Sequence, residues 1–446
     1  MTRRLTTLFA ASLVIVTGGA APVFSETYHM VSIRGVVSGS ADIRVWEVTD
    51  AGDLSQVQQI NFRTTGEQIK IDPFGQFMVY PRIDVEPGPV IDMYRIEPDN
   101  TISFASSYSR LGWEFANRVN TLTPDGSLYI TAERNTASPE QPVYFEAYRI
   151  SEELELIEND DKFLVGPGGP PGVPFSTTIL GSATTESGHL LLHNADFPAF
   201  ITVYPVSASG EISLPTQQFS YEGAQPINGT WSVSPDQKMA VTGPIIWKPC
   251  DWLISFSISP EGTLTEAGHY PCSAEEQVGS DSVFHPSGDS VLTGGGDVVR
   301  VGMTSDGEFH VPAIVGVPAP LGSSKPAVSP DGRIAVSLWD VDSGGVHWGV
   351  FSLGDDGSIT LLQDHILNIG YRDIAFIPPR TEEILGDANG DGRRDIRDVV
   401  KLVNHLDGTS DITGPVPLAR ADATQDGEID GDDLEWLVDF LLGLNL

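Results

Sequence analysis

One phrase recurs seven times along the first 380 residues: an aromatic or apolar residue, an aliphatic, a polar turn, then another aliphatic. It reads VWEVTDAGDL at Trp46, MYRIEPDNTI at Tyr94, AYRISEELEL at Tyr148, VYPVSASGEI at Tyr204, SFSISPEGTL at Phe256, RVGMTSDGEF at Val301 and VFSLGDDGSI at Phe351. The intervals are 48, 54, 56, 52, 45 and 50 residues. Each copy alternates with period two around a Gly, Asn or Asp turn, which predicts a β-hairpin. A second phrase falls between the copies: IDPFGQFMVY, LTPDGSLYIT, VSPDQKMAVT, FHPSGDSVLT and VSPDGRIAVS, with a degenerate TTESGHLLLH near Glu186. There the proline and glycine set a tight turn, and the run that follows reads as a buried strand.

Two hairpins in every ~50 residues are four strands, the content of one propeller blade. Seven such units fit between the N-terminal leader and Pro379. The fold class expected is therefore an all-β seven-bladed β-propeller, followed by a small α-helical C-terminal domain. The last copy of the second phrase, IAFIPP, stops after one strand. ETYHMVSIRG, from Glu26, can supply the missing partner and close the ring, which removes an exposed sheet edge. Over residues 26–379 these phrases resemble the seven-bladed lactonase-like (YVTN/WD40-like) propellers, with YITAERN at Tyr129 nearest to that family's strand signature. The resemblance implies a ring with ligand sites at its central channel.

The C-terminal stretch has a different grammar. DANGDGRRDIRD begins at Asp387 and DATQDGEIDGDD at Asp422. A hard cation such as calcium takes six to eight oxygens, and a twelve-residue loop offers them from positions 1, 3, 5, 7, 9 and 12 around a glycine at position 6. In the first loop these are Asp387, Asn389, Asp391, the carbonyl of Arg393, Asp395 and Asp398, with Gly392 at the turn. In the second they are Asp422, Thr424, Asp426, the carbonyl of Glu428, Asp430 and Asp433, with Gly427 at the turn. Two calcium ions are expected. VVKLVNHLDG and LEWLVDFLLG follow as amphipathic helices, each expected to start on the last ligand. PPRTEEILG and GPVPLARA precede the loops and are too short and proline-broken for entering helices, so neither unit is a full EF-hand. Two loop-plus-exiting-helix units over 384–446 resemble a type I dockerin. That implies docking onto a cohesin-like partner, commonly in polysaccharide-degrading assemblies. Where that family carries small hydroxyl pairs at loop positions 10 and 11, this chain has Ile396-Arg397 and Gly431-Asp432.

Composition bounds the rest. A formal charge of −36 argues against nucleic acid as a partner. The N-terminus pairs Arg3 and Arg4 with an apolar run and small residues, as an export signal of about 25 residues does, with cleavage after Ala20, Ala21 or Ser25. The expected organisation is signal 1–25, propeller 26–379, linker 380–383 and dockerin-like domain 384–446. The expected location is extracellular or periplasmic, with no membrane insertion after signal removal. Cys250 and Cys272 stand at equal distance from Glu261, so a hairpin turning there places them opposite one another and allows a disulfide.

No spaced catalytic motif marks the ring. Glu133-Arg134, His193, His285 and the His347-Trp348 pair are the ionisable or stacking candidates. Glu133-Arg134 reads equally as a paired loop, His285 as a residue packed beside its turn, and Trp348 as core. GPGGPPG at 166–172 reads as a loop between strands. The functional expectation is an exported binding or scaffold protein with a glycan or protein ligand at the propeller face. The alternatives are a lactonase or glycan-active hydrolase delivered by the same module, and a structural cell-surface protein.

Overall fold

The structure is a computed structural model. It describes residues 27–34, 41–62, 68–82, 90–135, 137, 143–151, 153–159, 162–165, 179–194, 199–221, 225–226, 230–243, 245–246, 251–271, 282–294, 298–310, 326–340, 346–367, 371–379, 386, 388, 396–408, 421–424 and 428–441. Seven antiparallel sheets succeed one another as blades. From the channel outward, blade 1 holds Tyr371–Phe376, Thr27–Arg34, Ala41–Thr49 and Leu54–Phe62. Blade 2 holds Lys70–Ile71, Phe77–Arg82, Val90–Ile96 and Ile102–Ser109. Blade 3 holds Trp113–Leu122, Leu128–Asn135, Val143–Ile150 and two short pieces, Leu156–Ile157 and Phe163–Val165. Blade 4 holds Ile179–Thr185, His189–Asn194, Ala199–Pro205 and Gln217–Tyr221. Blade 5 holds Trp231–Val233, Met239–Thr242, Asp251–Ile258 and Leu264–Pro271, with two short pieces, Gln225–Pro226 and Ile245–Ile246, in the same sheet. Blade 6 holds Ser282–Phe284, Ser290–Thr293 and Val299–Gly302, with a Met303–Phe309 bridge in place of a fourth strand. Blade 7 holds Pro326–Val328, Ile334–Asp340, Val346–Leu353 and Ile359–Leu367.

The expected strand exchange is present. Thr27–Arg34 pairs with Tyr371–Phe376, from Met30 opposite Phe376 to Arg34 opposite Tyr371, and Ile377 N–H donates to the His29 carbonyl (2.8 Å). The two ends of the repeat region thus share blade 1.

The two phrases are the two hairpins of each blade, and their turns are capped from within. In the second phrase, the residue before or in place of proline accepts from the first N–H of the next strand. Asp72 takes Phe77, Thr123 takes Leu128, Ser234 takes Met239 and Ser329 takes Ile334. In the first phrase, Thr49, Ser151, Ser207, Ser259 and Thr304 each accept from the backbone four residues on. Such local side-chain caps hold a turn before any tertiary contact forms.

No single centre holds the core. Each seam between adjacent blades has its own apolar cluster: Val31, Ile43, Met78 and Tyr94 between blades 1 and 2, and Met30, Trp46, Val336 and Trp348 where blade 7 meets blade 1. Trp46 and Trp348 lie 5.2 Å apart there. Every seam also carries a polar stitch in one sense, from a side chain of one blade to the backbone at the outer hairpin of the next. Gln58 makes a two-way amide pair with Ile102, and Gln217 does the same with Leu264. Ser106 reaches Leu154 O, Asn159 reaches Ser209 O, Ser255 reaches Gly307 O and Arg300 reaches Gly354 O. Gln363 reaches Ala51 O, and His365 meets Gly52 O, from blade 7 to blade 1. At the channel, inner-strand edges are covered by the neighbour's side chains: Asn120 N–H by Ser182, Phe284 N–H by Ser232, and Ile69 N–H by Asp373.

Two turn glycines at positive φ separate backbone strain from crowding. A Cβ on Gly75 (φ +65°) would stand 2.1 Å from the Pro378 carbonyl oxygen, whereas one on Gly357 (φ +84°) would meet nothing within 4 Å. Gly357→Ala is expected to cost about 1–2 kcal/mol, the left-handed penalty alone. Gly75→Ala is expected to lower the ring's thermal midpoint by clearly more, because closing backbone must move. Equal losses in calorimetry would count against this packing.

Candidate functional site

In the C-terminal module, α1 spans Ile396–Leu406 and α2 spans Gly431–Leu441. Both begin two residues before the last loop ligand, earlier than the sequence reading placed them. For α2 the reason is visible: the Asp430 carboxylate accepts from Asp432 N–H (2.8 Å), capping the helix from loop position 9. Leu402 packs with Ala388 and Ala421, with Ile429 and Leu434 against them.

The second loop is described at Asp422, Thr424, Glu428, Asp430 and Asp433, while Asp426 lies outside the described residues. Asp433 is fully buried. Its Oδ1 accepts from the Thr424 N–H (2.9 Å) and hydroxyl (3.0 Å), and its Oδ2 accepts from Asp430 N–H (2.9 Å). The carboxylate at position 12 thus gathers positions 3 and 9 of its own loop. In the first loop Asp387, Asn389, Asp391, Arg393 and Asp395 lie outside the described residues; Asp398, in the first turn of α1, is likewise fully buried. No three acidic, His or Cys side chains converge among the described residues. What fits a hard cation is the donor chemistry: oxygen at each ligand position, with a buried carboxylate closing each loop, where an uncompensated charge is costly.

The ring encloses a cavity of about 420 Å³ on its axis, lined by the inner strands of six blades. Gln68, Ser182, Thr230, Ser232 and Ser282 give it a hydroxyl-rich wall. Among the described residues of that lining, only Lys70 and Asp373 are ionisable. Asp373 already accepts from Ile69 N–H (2.8 Å) and Ile374 N–H (2.9 Å).

The sequence candidates in the ring are dispersed. His285 spans a seam, with Nε2 2.8 Å from Gly332 O and Nδ1 2.6 Å from the Ser287 hydroxyl. His347 pairs with Asp364 at 2.9 Å, and Trp348 is buried in its seam. Arg134 forms an exposed pair with Glu114 (3.0 Å). His193 falls on the strand His189–Asn194, and its side chain lies outside the described residues, as do Cys250, Cys272 and the segment 166–172.

Glu133 belongs to a charge cluster that the sequence reading missed. It is buried on blade 3, accepts from Tyr148 (2.6 Å), and shares Arg110 Nη1 with the equally buried Glu146, at 3.2 and 2.6 Å. Lys162 bridges Glu146 (2.8 Å) and Glu158 (3.0 Å), Arg110 also meets Glu158, and both cations lie over the Trp113 ring. Tyr108, from blade 2, donates to Glu158. The available signal was one acid, Glu146, set between the apolar Phe145 and Ala147 in the strand VYFEAYRI. Burial pushes the Glu146 carboxyl up to about 7, with Glu133 beside it acting in the same direction and Arg110 opposing. Burial raises Glu133 too.

Residues 385–442 match the family described as Dockerin type I domain, and that segment is a type I dockerin domain. Domains of this family bind calcium and dock onto cohesins. None of the curated proteins compared matches the sequence. The ring is similar in fold to a candidate 6-phosphogluconolactonase from Bacteroides uniformis ATCC 8492: TM-score 0.58, 13% identity, 79% of this chain and 99% of that one. It is similar to a second candidate 6-phosphogluconolactonase, from Bacteroides fragilis NCTC 9343: TM-score 0.57, 13% identity, 80% and 100%. It is also similar to the periplasmic gluconolactonase of Pseudomonas aeruginosa: TM-score 0.57, 15% identity, 79% and 99%. At these identities the likeness is one of fold. No helix of the described residues is long and apolar enough to cross a membrane.

The buried glutamates set a pH dependence. With its carboxyl up at about 7, against 4.5 for an ordinary glutamate, folded Glu146 holds a proton that the unfolded chain has already released. In saturating calcium, the ring's urea midpoint is therefore expected to fall as pH rises through that interval. Glu146→Gln should flatten the fall, and a variant as pH-sensitive as the parent would refute the assignment.

Proposed function

We propose that the chain is an exported binding protein whose ring presents a recognition surface and whose C-terminal module docks it, in calcium, onto a cohesin domain of a scaffold. The observation that carries this reading is the twice-repeated loop and helix, closed in each case by a fully buried carboxylate, Asp398 and Asp433. The domain limits that fit are signal 1–25, ring 26–379, linker 380–383 and docking module 384–446. One calcium ion sits among Asp387, Asn389, Asp391, the Arg393 carbonyl, Asp395 and Asp398. A second sits among Asp422, Thr424, Asp426, the Glu428 carbonyl, Asp430 and Asp433. Calcium neutralises four ligand-position carboxylates in each loop, so its binding free energy becomes folding free energy for a small module.

The ring reads as a binder more readily than as a catalyst. Of the two ionisable groups in the described cavity lining, Asp373 is committed to backbone N–H groups. The short capped turns occupy one side of the ring. The opposite side is the one proposed to meet a glycan or protein ligand. A lactone- or glycan-cleaving ring is the competing reading, and supply of such a ring to a polysaccharide-degrading assembly would use the same docking module.

Three outcomes are expected. Chelation should abolish the helical far-UV signal of 384–446 and leave the ring's thermal transition in place. Immobilised cohesin domains should capture the full chain in calcium and release it in chelator, whereas lactone and glycan screens should show no turnover. Cys250 and Cys272 are proposed to pair, since the ladder between Asp251–Ile258 and Leu264–Pro271 opens with Asp251 opposite Pro271. Alkylation of the unreduced denatured protein should then label neither cysteine, and labelling of both would refute the bridge.

A further inference from the structure

The two halves of the docking module share a plan but not a surface. On α1, Ile396, Val400, Val403 and Leu406 are 66, 53, 36 and 39% exposed. Spaced by four, three and three residues, they form one apolar stripe along the helix, with Ile396, Val400 and Val403 turned away from the buried Leu402 and Leu406 beside it. Thirty-five residues on, the equivalent positions of α2 are Gly431, Glu435, Val438 and Leu441, and the helix adds Asp432 and Asp439 between them. Its stripe is interrupted at its first two positions, and Glu435 is exposed. Charge divides the same way. Of the five Lys and Arg residues in 384–446, four (Arg393, Arg394, Arg397 and Lys401) cluster at or just before α1, and α2 has none. In a chain of net charge −36, this is a local basic and apolar segment on an acidic molecule.

We infer that docking is one-sided: the α1 stripe Ile396–Val400–Val403 is the contact face, α2 is not interchangeable with it, and the partner offers an apolar patch rimmed by carboxylates. The inference rests on the docking reading above and narrows it to one helix and one partner chemistry. An exposed aliphatic row is the kind of surface a partner must desolvate, and flanking cations select the sign of the rim. A second copy of this chain is disfavoured as the occupant, because its own stripe is flanked in sequence by Arg and Lys rather than by carboxylates.

The test uses the full chain in saturating calcium against a panel of purified type I cohesin domains spanning acidic to basic net charge. Capture is expected from the acidic members, weakening with salt. Val400→Asp and Ile396→Asp should each weaken it by about 100-fold, the loss expected when a charge enters a desolvated hot spot. Glu435→Lys on α2 should leave it unchanged, and all three variants should keep the calcium-dependent helical signal. Equal losses from the α1 and α2 variants, or preference for basic cohesins, would overturn the inference while leaving docking intact. Capture by no cohesin would overturn the docking reading itself. A calcium-dependent dimer dissolved by Val400→Asp would place a second copy on the stripe and overturn the partner assigned here.

Discussion

The ring depends on one constraint: every sheet edge must find a partner. A blade of four strands leaves its inner and outer edges open, and its two faces are too small to form a core alone. The solution is distributed. Apolar side chains fill each seam, hydroxyls and Asp373 cover the inner-strand N–H groups, and Gln58, Gln217, Gln363 and their counterparts reach the outer hairpin of the next blade. The stitches all run in one sense around the circle. Seven such seams close only if the last equals the first, and the pairing of Thr27–Arg34 with Tyr371–Phe376 makes it so.

The docking module meets the opposite problem. Among the described residues its apolar cluster is small, Leu402, Ala388, Ala421 and their neighbours, and it concentrates like charge. In the described second loop, order comes from hydrogen bonds that converge on the buried Asp433 carboxylate, with cation binding as the natural complement. One chain thus joins a ring stabilised by many equivalent interfaces to a small module of a calcium-binding family. The two parts should respond differently to metal, salt and acid.

Much of this was legible in the sequence because it is local and repeated. Asp72, Thr123, Ser234 and Ser329 stand at the same place in four of the second-phrase turns, with His285 there in a fifth, so the turn and its repeat can be read together. The closing strand was legible because IAFIPP is visibly incomplete. The stitches were not, since Gln58, Asn159 and Arg300 sit on different strands and look like ordinary solvated polar residues until the neighbouring blade is in place. Glu146 with Arg110 and Lys162 was missed for the same reason: its two cationic partners are contributed by two separate connections. The helix starts were misplaced by two residues because Asp430 serves as a cap as well as a candidate ligand, a double role that spacing alone does not show.

Strand Tyr371–Phe376 is both the bolt that closes the circle and the last strand before the tail. Any tension applied through an anchored tail reaches that strand first. It is the innermost strand of its blade, held by its ladder to Thr27–Arg34 and by Asp373 across the seam. The tether is thus rooted at the hub of the wheel rather than on its rim. A pull strong enough to tear the protein from its anchor would have to draw out the bolt before it could loosen any other sector.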